Sequence, residues 1–96
     1  SERVYEDDKM IVIRDVAPAA PVHVLMIPKA HTENIITAEP ELLLYMFGKV
    51  KELAEKLGVN EKGFRIVANT GDDGGQTVKH LHIHLLGGKA LGWPPC

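Results

Sequence analysis

Short apolar runs and polar breaks alternate along the first third of the chain. Val4-Tyr5-Glu6 and Met10-Ile11-Val12-Ile13 flank the polar triplet Asp7-Asp8-Lys9, the pattern of a β-hairpin closed by an acidic turn. Arg14 to Pro21 predicts an irregular connection, because Pro18 and Pro21 each remove an amide donor and restrict the residue before them. Val22 to Ile27 has a strand's length and apolar density, with His23 inside it and Pro28 ending it. From about Ala38 to Leu57 the period changes. Leu42, Met46, Val50, Leu53 and Leu57 recur every three or four residues, which predicts one long amphipathic helix. Thr37 is its expected N-cap, Glu39 and Glu41 lie where the helix dipole favours anions, and Gly58 supplies a left-handed stop. Phe64 to Ala68 again reads as a strand. A polar, glycine-rich loop from Asn69 to Gln76 leads into His80-Leu81-His82-Ile83-His84-Leu85-Leu86, which Gly87-Gly88 is expected to break before an extended tail through Trp93-Pro94-Pro95.

Composition narrows the class without naming it. With 96 residues, 45% hydrophobic and 25% charged, the chain has the balance of one soluble globular domain spanning 1–96. A formal charge of -2 with no basic block argues against nucleic acid or an anionic membrane as a partner. No apolar run is long enough to span a bilayer and the first residues lack a signal peptide's apolar core, so a cytoplasmic address is expected. Cys96 stands alone, with neither a disulfide partner nor a second thiol for a metal, and no catalytic role is assigned to it.

Chemistry enters with the alternating histidines. Successive strand side chains point to opposite faces, so His80, His82 and His84 would share one face while Leu81, Ile83 and Leu85 line the other. A single histidine on a strand is more often a solvated bystander; three in strict alternation beside a glycine loop point to a site. Neutral imidazoles could ligate zinc, but no carboxylate or cysteine close in sequence completes a coordination sphere. The loop favours phosphate instead. Gly71, Gly74 and Gly75 permit positive φ, so that consecutive amides could converge on an anion, with Gln76 and Thr77 adding side-chain donors. One imidazole could then attack phosphorus while another donates to its nonbridging oxygens.

The stretch from Gly74 to Gly88, Gly-Gly-Gln-Thr-Val-Lys-His-Leu-His-Ile-His-Leu-Leu-Gly-Gly, resembles the signature of the histidine triad (HIT) superfamily. More narrowly it is similar to the histidine triad nucleotide-binding proteins, which are purine nucleoside phosphoramidases. The likeness extends to Asp15, Ala20-Pro21-Val22-His23, Ile27-Pro28-Lys29 with His31, Asn69 and the Trp93-Pro94-Pro95 ending. It implies an α+β HIT-like domain, an antiparallel sheet of about five strands packed on one long helix, paired into a homodimer. The resemblance implies that His82 is the nucleophile, forming a covalent nucleotidyl-histidine on the α-phosphorus. His84 would contact the phosphate, and His80 and His23 would belong to the network that orders protonation. By the same resemblance Asp15 accepts from the ribose hydroxyls and Asn69 contacts the nucleotide. Gly75, Gln76, Thr77 and Val78 would form the phosphate loop, with Thr77 near the leaving group. Ile13 and Val16 are candidates for an apolar slot around the base, Trp93 for a contact at the second subunit's site, and His31 for a structural role.

The expected reaction is hydrolysis of the phosphorus-nitrogen bond in a purine nucleoside 5'-phosphoramidate, giving the nucleoside monophosphate and an amine, with no metal or organic cofactor required. Members of this branch usually carry a stretch over the purine ahead of the segment where this chain begins; either it lies outside this sequence or the base pocket is expected to be more open, which leaves base preference less constrained than reaction type. Hydrolysis of dinucleoside polyphosphates, as in another HIT branch, is the nearest enzymatic rival. Outside catalysis the rivals are a nucleotide-binding or a zinc-binding interaction protein.

Overall fold

In the computed structural model, residues 2–93 are described; Pro94, Pro95 and Cys96 of the expected tail lie outside them. The hairpin forms as β1 (Arg3–Glu6) and β2 (Met10–Arg14), followed by β3 (Val22–Pro28). Helical segments α1 (Pro40–Gly48) and α2 (Val50–Leu57) come next, then β4 (Phe64–Val67) and β5 (Ile83–Gly87). All strand pairs are antiparallel, in the order β1-β2-β3-β5-β4. This is the α+β arrangement expected, with the histidine-bearing strand placed centrally between β3 and β4.

One sheet face makes the core. Val12, Val24, Met26, Ile83 and Leu85 are fully buried and pack with Met46, Leu53 and Ala54 of the helical segments. The helical periodicity is borne out at Leu42, Val50 and Leu57, which pack against the same cluster. The helix is bent, however. Lys49 has φ -89° and ψ -8°, and its amide reaches back to Met46. Gly48, which lacks the side chain that stiffens a helix interior, and β-branched Val50 flank the bend. The start also differs from expectation. Glu39 occupies the N-cap position and Pro40 the first turn, where a missing amide costs nothing. Thr37 instead closes the preceding turn, its hydroxyl accepting from the amides of Glu33 and Asn34.

The strand boundaries shift where histidine chemistry begins. Gly87 does not break β5; it pairs with both Val22 and Phe64, and a Cβ there would stand 2.9 Å from the Val59 Cγ1. Gly88, at φ +88°, makes the break. At the other end β5 starts only at Ile83, so His80 and His82 lie in an irregular segment ahead of it. The last residue of β3 is Pro28, which has no amide to offer a partner, and the β3–β5 ladder stops at Met26 and Ile83.

The first turn is tied to the helix by one carboxylate. Asp7 accepts from the amides of Lys9 and Met10, each at 2.8 Å, from the Tyr5 hydroxyl at 2.7 Å, and from the Tyr45 hydroxyl of α1. These donors, Tyr45 foremost, hold its carboxyl well below the usual carboxylate range. A depressed folded pKa stabilises the fold above the unfolded value of 3.8 and the contribution is lost as pH falls below it. Asp7→Asn should therefore melt below the parent at pH 7, and the gap should narrow as thermal scans move from about pH 4 to pH 2.

Candidate active site

The sheet face turned away from the helices carries the site. Side-chain alternation puts Ile13, Leu25, His84 and Val67 in one row across four strands, since each is the register partner of the next. His23 and Ile27 extend the same face along β3. This strand is apolar on both sides, so its second side forms a greasy floor beside the imidazoles.

The segment ahead of β5 is fixed by its own side chains. His80 Nε2–H donates to the Pro28 carbonyl at 3.0 Å, and the Leu81 amide donates to the Thr32 carbonyl at 2.7 Å. Leu81 is buried and its neighbours are half-exposed, so the expected alternation survives without a ladder. His82 Nδ1–H donates to the His80 carbonyl at 2.9 Å. A carbonyl can only accept, so the proton of neutral His82 sits on Nδ1 and its Nε2 keeps a free lone pair.

His84 is set the opposite way. The Ala19 amide donates to His23 Nδ1 at 3.0 Å, which leaves the His23 proton on Nε2. That Nε2–H faces His84 Nδ1 at 2.9 Å and the Asp15 carboxylate at 3.4 Å. His84 Nδ1 therefore accepts, and the proton of neutral His84 sits on Nε2. Burial pushes the His84 pKa down, with His82 and His23 adding to the effect, so the ring stays neutral at neutral pH. The His82 and His84 rings lie 5.1 Å apart, edge to face. One presents a lone pair and its neighbour an N–H.

Asp15, His23 and His84 bring three potential ligand atoms within 4.8 Å of one another, a carboxylate that sequence proximity did not reveal. The donor set suits a metal by type but not by proton placement. A ligating histidine normally donates its second ring nitrogen to an acceptor, whereas His23 Nδ1 receives the Ala19 N–H. Its Nε2 is thereby committed to a proton. Of the triad only His84 belongs to this cluster; His80 Nε2 and His82 Nδ1 are each held by a carbonyl.

The glycine loop is organised from within. Gln76 is buried and uses its whole amide: Oε1 accepts from the Gly71 amide and the Asn34 Nδ2, while Nε2 donates to the Glu33 and Val78 carbonyls. The Gly75 and Gln76 amides donate to the Asp72 and Gly71 carbonyls. The expected anion donors thus narrow. Gln76 serves the loop, and of the expected donors the amides of Gly74, Thr77 and Val78 have no partner among the described residues. Gly71 and Gly75 do adopt positive φ, at 72° and 77°; Gly74 does not, and its role is closeness, since a Cβ there would meet the Thr70 carbonyl at 2.5 Å.

The remaining predicted residues divide into two groups. Ile13 and Asp15 join the imidazoles, and Val78 shares a 270 Å³ apolar recess with Leu25, Ile27, His80 and His82. Val16 is 84% exposed on its loop, and Thr77 is exposed. Asn69 and Gly75 line a separate cleft of about 670 Å³ with Trp93, whose ring packs against Arg65 of the same chain. His31 Nδ1 stands 3.3 Å from His80 Nδ1 and, with Nε2 of His80 donating, supplies the proton of that contact. Sequence reasoning missed Ala19, which acts through its backbone, and Leu25 and Ile27, whose signal was the two-sided apolarity of β3.

Comparison with known proteins follows the same lines. The HIT domain pattern matches residues 1–91. An uncharacterized HIT-like protein of Synechococcus elongatus is 56% identical over 95 residues, 96% of this chain and 82% of its own length. The crystal structure of a HIT family hydrolase from Legionella pneumophila superposes with a TM-score of 0.93 at 42% identity, covering 98% of this chain and 87% of that one. A histidine triad nucleotide-binding protein from Candida albicans gives 0.83 at 30% identity, over 98% and 74% of the two chains. The chain belongs to the HIT family, and its fold is that of the HIT family hydrolase it superposes on.

Because Gln76 satisfies four loop and neighbour groups from a buried position, Gln76→Ala should destabilise the fold by about 1–3 kcal/mol. Urea unfolding would read this, and amide exchange of Gly71 should rise with it.

Proposed function

We propose that this protein hydrolyses purine nucleoside 5'-phosphoramidates through a nucleotidyl-His82 intermediate. The observation that carries the reading is the proton assignment on neighbouring rings. His82 Nδ1–H is held by the His80 carbonyl, freeing Nε2 as nucleophile, while the His23 contact leaves His84 with its proton on Nε2. With the α-phosphate at the unpartnered Thr77 and Val78 amides, His82 Nε2 attacks phosphorus and the phosphorus-nitrogen bond breaks. The nitrogen takes a proton from solvent as it departs as the amine. Thr77, by resemblance, stands beside it. His84 Nε2–H donates to a nonbridging oxygen as charge builds there. Water then attacks the same phosphorus, restoring neutral His82 and releasing the nucleoside monophosphate.

Asp15 suits the ribose hydroxyls, since its carboxylate lies at the histidine face with one oxygen held by the Ala17 amide at 2.8 Å. Ile13 and Val16 are read as bordering the base, and Asn69 as a further nucleotide contact. The working unit is read as a homodimer; Leu44 and Phe47 of α1 and Phe64 of β4 are exposed apolar groups available to it. Trp93, 82% exposed, is available for the contact at the second subunit's site.

Mixing the protein with adenosine 5'-phosphoramidate should give a nucleotidyl adduct by intact mass spectrometry and steady release of AMP. His82→Ala should lose the adduct and on the order of 10⁴-fold or more in kcat. Adduct formation and turnover undiminished in His82→Ala would remove His82 from the nucleophile's role.

A further inference from the structure

Arg65 stands out among the cations of this chain. It is half-buried on the histidine side of edge strand β4, paired in register with Leu86 and two residues from Val67, the partner of His84. Two residues of strand span about 7 Å, so Arg65 sits about that far along the open face from Val67, and the cleft it lines includes Asn69 and Gly75, both read above as nucleotide contacts. Among the described residues it forms no ion pair. Its guanidinium lies 5.9 Å from the centre of the Trp93 ring, a cation–π contact, and among the described residues its side-chain N–H groups have no hydrogen-bond partner.

Its surroundings are cationic and concave. Arg65 lines the 670 Å³ cleft that also contains Asn69, Gly75 and Trp93, and it lines an adjoining 320 Å³ cleft with Lys89. Lys89 likewise forms no ion pair among the described residues. The one carboxylate bordering the larger cleft, Asp73, belongs to the loop side and makes no ion pair with Arg65. An anion in this space is repelled from the Asp73 end and drawn toward the Arg65 and Lys89 end. A planar guanidinium with free N–H groups matches a carboxylate in two parallel hydrogen bonds.

We infer that Arg65, supported by Lys89 and backed by Trp93, is a specificity-determining residue that selects leaving amines carrying a carboxylate, as in a nucleoside phosphoramidate N-linked to an amino acid. This rests on the phosphoramidase reading and adds to it the chemical class of the amine.

The test compares two adenosine phosphoramidates of equal size, one N-linked to glycine and one to glycinamide. The parent protein should favour the carboxylate substrate in kcat/KM by about tenfold, in keeping with charge-assisted bonds to one carboxylate. That ratio should fall close to one in Arg65→Met and in Arg65→Gln, and Arg65→Lys should keep part of it. Added salt should lower the ratio in the parent. A parent that hydrolyses both substrates without preference would overturn the inference and leave the phosphoramidase reading standing. An unchanged ratio in Arg65→Met, or equal loss on both substrates, would also overturn it. Hydrolysis of neither substrate by the parent would overturn both readings together.

Discussion

The register between β3 and β5 is the constraint on which the rest depends. Leu25 faces His84 and Val24 faces Leu85, so one residue pair belongs to the open face and the next to the core. A slip of one residue would bury the imidazoles and expose Ile83 and Leu85, which the fully buried positions around them forbid. The same register places His23 of β3 close enough to His84 of β5 for their rings to share a proton. Hydrophobic burial on one side thus fixes hydrogen bonding on the other.

That bonding has a direction. It starts from a backbone amide at Ala19, passes through His23 and ends with a proton on the outer nitrogen of His84. A second sequence ends at the His80 carbonyl and leaves the outer nitrogen of His82 bare. Two residues of identical chemistry acquire opposite proton placements, one from a main-chain carbonyl and the other from a main-chain amide acting through His23. Burial keeps the asymmetry by resisting protonation of His84.

The elements that pack by periodicity were legible in the sequence: all five strands, and the helix through Leu42, Met46, Val50, Leu53 and Leu57. So was the alternation of His80, His82 and His84, because it follows from chain geometry. The bend at Lys49 was not, since apolar spacing is nearly the same for a straight helix and for two segments with a shared buried side. Pro40 was the overlooked start signal and outcompeted Thr37. Gln76 reads as a donor to a ligand in any glycine-rich loop; only the fold reveals Asn34, Glu33 and Gly71 waiting for its amide. The cluster of Asp15 with His23 and His84 unites positions far apart in the chain, which spacing cannot disclose.

The end of the β3–β5 ladder beside Pro28 bears on local stability. Because the ladder ends at Met26 and Ile83, the residues bearing His80 and His82 are held outside it, by His80 to Pro28 and His31, by the Leu81 amide to Thr32, and by burial of the Leu81 side chain. Releasing them does not require unzipping a strand from the centre of the sheet. The backbone around His82 is thus set by loop and side-chain contacts rather than by the β3–β5 ladder, so its local stability depends on Pro28, Thr32 and the burial of Leu81 more than on strand pairing.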